Sequence, residues 1–163
     1  MDVRLATKSD FKKVVDIYNQ VIKEGGIIGY SAPFAYKDLT EWFNEHLNSK
    51  YPLFVAEIDN EVIGWVSISP YRKGRDLLNR TCVVSYFITK LHRGQGIGSA
   101  LLKKAVEEAR NLGFKTMLAI VFAHNSVSVK LLEKYKFKRW AFLPGIAEYN
   151  CKILNHVYYG LSL

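Results

Sequence analysis

Residues 81–99, TCVVSYFITKLHRGQGIGS, decide the fold. Their first part, Cys82-Val83-Val84-Ser85-Tyr86-Phe87-Ile88, is nearly all apolar or aromatic, the pattern of a central strand covered on both faces. Their second part, Arg93-Gly94-Gln95-Gly96-Ile97-Gly98, is a glycine turn, and the spacing predicts an amphipathic helix over 96–112 that stops at Gly113. Glycine lets the backbone turn sharply and approach a ligand closely. Several N–H groups at the new helix's start then converge on one point, where the helix dipole adds positive potential. This makes an anion site suited to phosphate or pyrophosphate, with a loop that merely permits tight packing as the bland alternative. Other phosphate loops fit poorly. Walker A ends in Gly-Lys-Ser/Thr, and here Gly98 precedes Ser99-Ala100. The dinucleotide fingerprint follows an N-terminal first strand, and this loop lies past mid-chain.

Working outward, Val3 to Thr7 reads as a first strand and Ser9-Asp10 as the cap of a helix with Phe11, Val14, Val15, Tyr18 and Ile22 on one face, ended by Gly25-Gly26. An aromatic loop spans 27–36, and helical spacing returns over 38–49. Strands are expected over 52–58 and 62–69 around an Asp59-Asn60-Glu61 turn, then a basic loop over 71–80. Past the central helix come a strand over 115–122, a helix over 125–136 capped by Asn125 or Ser126, and two strands over 138–143 and 152–161. The order β-α-α-β-β-β-α-β-α-β-β gives a mixed α/β sheet within one domain, 1–163, and not a Rossmann order.

Composition sets the outer bounds. The 163 residues are 49% hydrophobic and 23% charged, enough to bury a core and too apolar for a disordered chain. The net charge of +8 leaves nucleic acid, anionic membrane and anionic small ligands open. The first residues do not read as a signal peptide, and no apolar run approaches the roughly 18 residues of a membrane span. Cys82 and Cys151 read as reduced thiols of a cytoplasmic protein. His46, His92, His124 and His156 form no metal-ligand spacing, so no metal is expected.

Arg93-x-x-Gly96-x-Gly98 after a strand resembles the signature of the GNAT-fold N-acetyltransferases. A second segment, Asn125 to Phe137, keeps Asn125, Ser128, Leu131 and Phe137 of that family's Asn-x-x-Ser-x-x-Leu-Tyr-x-x-x-Gly-Phe run. Val3 to Asp10 and Phe54 to Gly64 are similar too. Phe122 to Asn125 and Phe142 to Glu148 resemble the phosphinothricin acetyltransferase-like branch. The resemblance implies a GNAT fold, with a mostly antiparallel sheet, splayed fourth and fifth strands and helices on both faces. It implies acetyl-CoA (coenzyme A) as cosubstrate and a small-molecule primary amine as acceptor, attacking directly in a ternary complex. Acylation of protein lysines or N-termini, and CoA binding without catalysis, are the alternatives. A homodimer is implied, with no membrane or nucleic-acid partner.

Carried over residue by residue, Arg93, Gly94, Gln95, Gly96, Ile97, Gly98 and Ser99 would hold the pyrophosphate. Tyr86, Phe87 and Ile88 would pair with the pantetheine arm like an added strand, and Asn125 and Ser128 would complete the cofactor site. Tyr30, Phe34, Tyr71, Arg72, Val83 and Ser85 would line the acceptor site, with Arg72, Lys73 and Arg75 suited to a carboxylate. The amine must lose a proton, which calls for a base, and here the sequence departs from the family. Val83 stands where the branch often has Glu, Leu132 where a Tyr serves as general acid, and Asn150 where a His is used. Ala32 precedes Pro33 where relatives have an acid, and Tyr135 reads as core. Glu148, His124 and Tyr86 are the remaining catalytic candidates.

Overall fold

The computed structural model describes residues 1–47 and 49–163. The elements follow the order read from the sequence: β1 (Asp2–Leu5), α1 (Phe11–Glu24), α2 (Tyr36–Glu45), β2 (Leu53–Ile58), β3 (Glu61–Pro70), β4 (Thr81–Ile88), α3 (Ile97–Asn111), β5 (Thr116–Phe122), α4 (Ser126–Lys134), β6 (Lys138–Tyr149) and β7 (Lys152–Ser162). The strands form one seven-stranded sheet, β1-β2-β3-β4-β5-β7-β6. Every neighbouring pair is antiparallel except β4 and β5, which run parallel. The fold is mixed α/β, with helices on both faces.

Alternation along the strands sorts the core into two layers. Cys82 and Val84 of β4, Met117 and Ala119 of β5, and Val157, Tyr159 and Leu161 of β7 face α3 and α4, where they meet Leu101, Leu102, Ala105 and Leu132. Leu53, Val55 and Trp65 face the other way, onto Val14 and Ile17 of α1 and Phe43 of α2. Trp65 is fully buried and its indole N–H donates to the Val14 carbonyl at 3.1 Å, so its one polar atom is satisfied. Each such apolar side chain contributes on the order of 1.5–3 kcal/mol by leaving water.

The two parallel strands fork. β4 and β5 are paired only from Thr81↔Thr116 to Val83↔Leu118. Beyond that, β4 stays on β3 through Ile88↔Gly64 and β5 stays on β7 through Phe122↔His156. Residues 84–88 and 119–122 therefore turn unpaired edges toward each other, a V-shaped gap in the sheet.

The larger departures from the sequence reading lie in three segments. The helix expected over 38–49 is α2, which starts at Tyr36 because the Asp38 carboxylate accepts from the Ala35 N–H at 2.9 Å and fixes the first turn. The 71–80 loop contains a 3-10 turn at Asp76–Leu78. The strand expected over 138–143 runs on to Tyr149: the pairing shifts between Leu143 and Ala147, and that bulge absorbs Pro144 and Gly145. Proline is tolerated there because β6 is an edge strand. Asn150 and Cys151, both with positive φ, then form the two-residue hairpin turn to β7.

Candidate active site

The gap between β4 and β5 opens into a cleft of about 680 Å³, bounded by the glycine turn, the start of α4, the end of α1 and the 27–29 loop. Its anion-binding end is built from backbone. Gly96 caps α3 with φ +83°, and Gly94 has φ +78°, conformations that side chains with a Cβ adopt only at a cost. Among the described residues, none of the N–H groups from Gly94 to Ser99 donates to a backbone carbonyl. Gly94, Gly96, Gly98 and Ser99 line the cleft, so these free donors and the positive end of α3 are available to an anion. Gly98 has another task. A Cβ there would lie 3.2 Å from Leu131 Cδ2 and 3.4 Å from Ile88 Cδ1, so its hydrogen lets α3 pack close to α4 and β4.

The side chains of Arg93 and Gln95 are engaged within the protein, while the Gln95 N–H stays among the free donors. The Arg93 guanidinium forms a bidentate pair with Glu24 at 2.6 and 2.8 Å and bonds the Ile88 carbonyl at 3.1 Å. It joins the turn to the ends of α1 and β4. Gln95 turns back onto the Leu91 carbonyl at 3.2 Å. The Ile97 side chain is core, which leaves its N–H as the part available to a ligand.

Along β4, Ser85, Tyr86, Phe87 and Ile88 all line the cleft. Tyr86 lies on the α3–α4 side of the sheet. Its buried hydroxyl has no hydrogen-bond partner in bonding geometry among the described residues, and burial raises its pKa, with nearby Ser128 working the other way. Asn125 caps α4, accepting from the Ser128 N–H at 3.2 Å through Oδ1. Its NH2 group is left for the cleft, which both residues line. Tyr135 is not simply core: it donates to the Ser99 carbonyl at 2.8 Å, tying α4 to the first turn of α3.

Several expected site residues lie elsewhere. Val83 sits below the fork, where β4 still pairs with Leu118. Tyr71 adjoins Thr81 at the opposite end of β4 from the glycine turn, about 25 Å away at strand rise. Arg72 lines a separate cavity of about 390 Å³ with Glu45, His46 and Lys73, and Lys73 is paired to Glu45. Phe34 stacks on Tyr18 and Tyr30 meets it edge-on, with ring centroids 5.8 and 6.2 Å away. Tyr18 itself, with Ile27 and Ile28, forms the cleft wall. Glu148 is exposed on β6 opposite Ile153. Its neighbour Tyr149 packs against Gly25, so strand alternation turns Glu148 away from that side. His124 is exposed and its Nε2 is held by the Gly26 carbonyl at 2.7 Å. The residue that the sequence reading passed over is His156. Its register opposite Phe122, where the fork is widest, places it in the cleft wall.

The sequence pattern of the acetyltransferase (GNAT) family matches residues 16–137. YwnH of Bacillus subtilis (strain 168), provisionally named a phosphinothricin acetyltransferase, is 41% identical over 95% of this chain and 98% of its own length. The L-amino acid N-acyltransferase MnaT of Escherichia coli (strain K12) is 27% identical over 90% of this chain and 84% of that protein. The structure of yncA, provisionally termed an acetyltransferase, from Salmonella typhimurium with its cofactor acetyl-CoA superposes with a TM-score of 0.95 at 26% identity, covering 100% of this chain and 94% of that one.

Proposed function

The chain belongs to the acetyltransferase (GNAT) family, and from that premise we propose that it transfers the acetyl group of acetyl-CoA to the primary amine of a small molecule of the amino-acid class, by direct attack in a ternary complex. The observation that carries this reading is the forked sheet with the unpaired N–H groups of 94–99 at its mouth.

The residues present fit the cosubstrate. The free N–H groups of 94–99 suit its pyrophosphate, and the open edge of 84–88 suits the amides of its pantetheine arm, as a partial added strand. The NH2 group of Asn125 and the hydroxyl of Ser128 lie at the same wall. When bound, acetyl-CoA supplies an activated acyl carbon and a sulfur leaving group. The chain contributes orientation, which is worth roughly 7–11 kcal/mol of a bimolecular barrier, and a proton donor. Tyr86 holds its proton in a buried position on the α3–α4 side, with no hydrogen-bond partner in bonding geometry among the described residues. That suits a general acid toward the departing sulfur, and it takes over the task that Leu132, fully buried in the core, cannot perform.

The acceptor wall is aromatic. Tyr18 stacks with Phe34 and Trp42 and meets Phe87 at 4.9 Å. This favours a compact amine with an apolar side chain over an extended peptide. We place the enzyme in the cytoplasm as a single domain, 1–163, and as a homodimer. Support for pairing comes from Phe142, Ile146 and Ile153, all exposed on the outermost hairpin. The deciding experiment incubates the protein with acetyl-CoA and a panel of L-amino acids, their analogues and a lysine peptide, and follows free thiol. Thiol release with the small amines supports the reading. Release with the peptide alone favours protein acylation. Tight CoA binding with no release leaves a binding protein.

A further inference from the structure

The reaction needs a base, and among the described residues lining the cleft there is no Asp or Glu. The imidazoles that line it are His92 and His156. His92 belongs to the turn below the glycine loop, and its Nδ1 is engaged by the Thr89 hydroxyl at 2.9 Å. His156 lies deeper, on β7 opposite Phe122. Its ring packs on that of Phe122 with centroids 4.5 Å apart, and neither ring nitrogen has a hydrogen-bond partner among the described residues.

The face it occupies matters. Val157 and Tyr159 point into the α3–α4 core, so His156 points to the α1 side of the sheet. Tyr86 does the opposite, facing the α3–α4 side with Val84. The two therefore stand on opposite faces of the same fork, with an uncommitted base on the acceptor side and an uncommitted acid on the other.

Resting on the acetyltransferase reading, we propose that His156 is the general base that takes the proton from the acceptor's ammonium. One N–H bond of the ammonium breaks and its proton goes to an imidazole nitrogen of His156. The freed lone pair forms the C–N bond as the C–S bond breaks, and the sulfur keeps that electron pair and accepts the Tyr86 proton. The second amine proton returns to Tyr86, directly or through water, and His156 releases its own to solvent. The sum is one amide, one thiol and one proton.

Burial lowers the His156 pKa from the ordinary 6.5, so the ring is neutral and able to accept at pH 7. Among the described residues, Tyr18 on α1 and Tyr86 on β4 line the same cleft, His124 stacks on Phe122, against which His156 packs, and Tyr158 follows two residues along β7 on the same face. The β6 neighbour of His156 is Leu143. Arg93 and His92 reach the cleft from the loop, tied to Glu24 and Thr89.

The test measures kcat/KM against pH for wild type and His156→Gln with the best amine, together with acetyl-CoA binding and the melting temperature of each. The expected result is a fall of about 100-fold or more at pH 7, loss of the decline in wild-type activity at acid pH, and acetyl-CoA binding like that of wild type. A variant with the wild-type rate and acid limb overturns the proposal. As a measurement free of the variant's folding, the His156 imidazole is titrated by NMR in wild type. Its pKa must match that of the acid limb, and a clear mismatch overturns the assignment. Absence of thiol release from wild type with every amine overturns the acetyltransferase reading and this proposal together.

Discussion

Arg93 and Glu24, 69 residues apart in sequence, meet in a two-pronged ion pair at the lip of the cleft. This pair, with the Arg93 bond to the Ile88 carbonyl, links the glycine turn to the last turn of α1 and the tip of β4. The arginine of the glycine signature thus acts here as a brace for the turn. Both side chains are partly exposed, so the brace is worth about 1 kcal/mol. Glu24→Ala should therefore weaken acetyl-CoA binding only about fivefold and raise the mobility of 93–96. Calorimetric titration and amide hydrogen exchange would check both. A drop of several hundredfold would mean that Arg93 contacts the cosubstrate directly in the wild type.

Gly96→Val should have a much larger effect. At φ +83° a branched residue is strained by about 1–2 kcal/mol. A Cβ there meets no protein atom within 4 Å, so the side chain would project into open space beside the free N–H groups. Acetyl-CoA affinity should fall at least tenfold while the melting temperature moves by a few degrees. Gly98→Ala should show the reverse balance, losing stability first, because its Cβ presses on Leu131 and Ile88 inside the packing of α3. Unchanged CoA affinity in the Gly96→Val variant would remove the pyrophosphate from this turn.

Tyr86→Phe should move stability and activity in opposite directions. The hydroxyl is buried and unpaired in the absence of ligand, so deleting it should leave stability unchanged or raise it by about 1 kcal/mol. If the hydroxyl protonates the departing sulfur, the acetyl-transfer rate should fall about 100-fold. Burial raises the pKa of this phenol, so it stays protonated across the neutral range, and the wild-type rate should show no loss attributable to it below pH 9. Thiol-release kinetics and thermal melts on the same samples would reveal the split. A variant that is less stable and equally fast would make Tyr86 a packing residue only.

The order of elements and the glycine turn at the mouth of the cleft were legible because local chemistry fixes them. Residues 81–111 carry an apolar strand, positive-φ glycines and an amphipathic helix whatever surrounds them. The acceptor half was not legible, because it depends on register and on which element bends. Tyr71 and Arg72 are near β4 in sequence but at its far end in space. Glu148 looked like a loop carboxylate until the bulge at 144–146 carried the strand past it. His156 gave no motif. Only its pairing with Phe122, combined with the fork between β4 and β5, turns it into a cleft residue.

The acid limit of stability should be set in part by Asp10, through its ion pair with Arg4. Arg4 lies between the two carboxylates, bonding Asp10 at 2.8 and 3.0 Å and Glu57 through Nε at 3.1 Å. Asp10 also accepts from the Thr7 N–H at 2.7 Å and its hydroxyl at 2.9 Å, holding the entry to α1. Burial pushes the Asp10 pKa up, but the Arg4 and Thr7 bonds outweigh it and the net shift is below the ordinary 3.8. A carboxylate with a depressed folded pKa stabilises the protein above the unfolded value, and that contribution disappears as pH falls through the folded value. Asp10→Asn should cost about 1–2 kcal/mol at pH 7, because Arg4 loses the Asp10 charge while its pair with Glu57 remains. The gap between the variant and wild type should close as pH falls below 3.8 toward 2. Urea denaturation of both proteins across that range would measure it. A gap that stays constant down to pH 2 would show that the role of Asp10 is hydrogen bonding without charge.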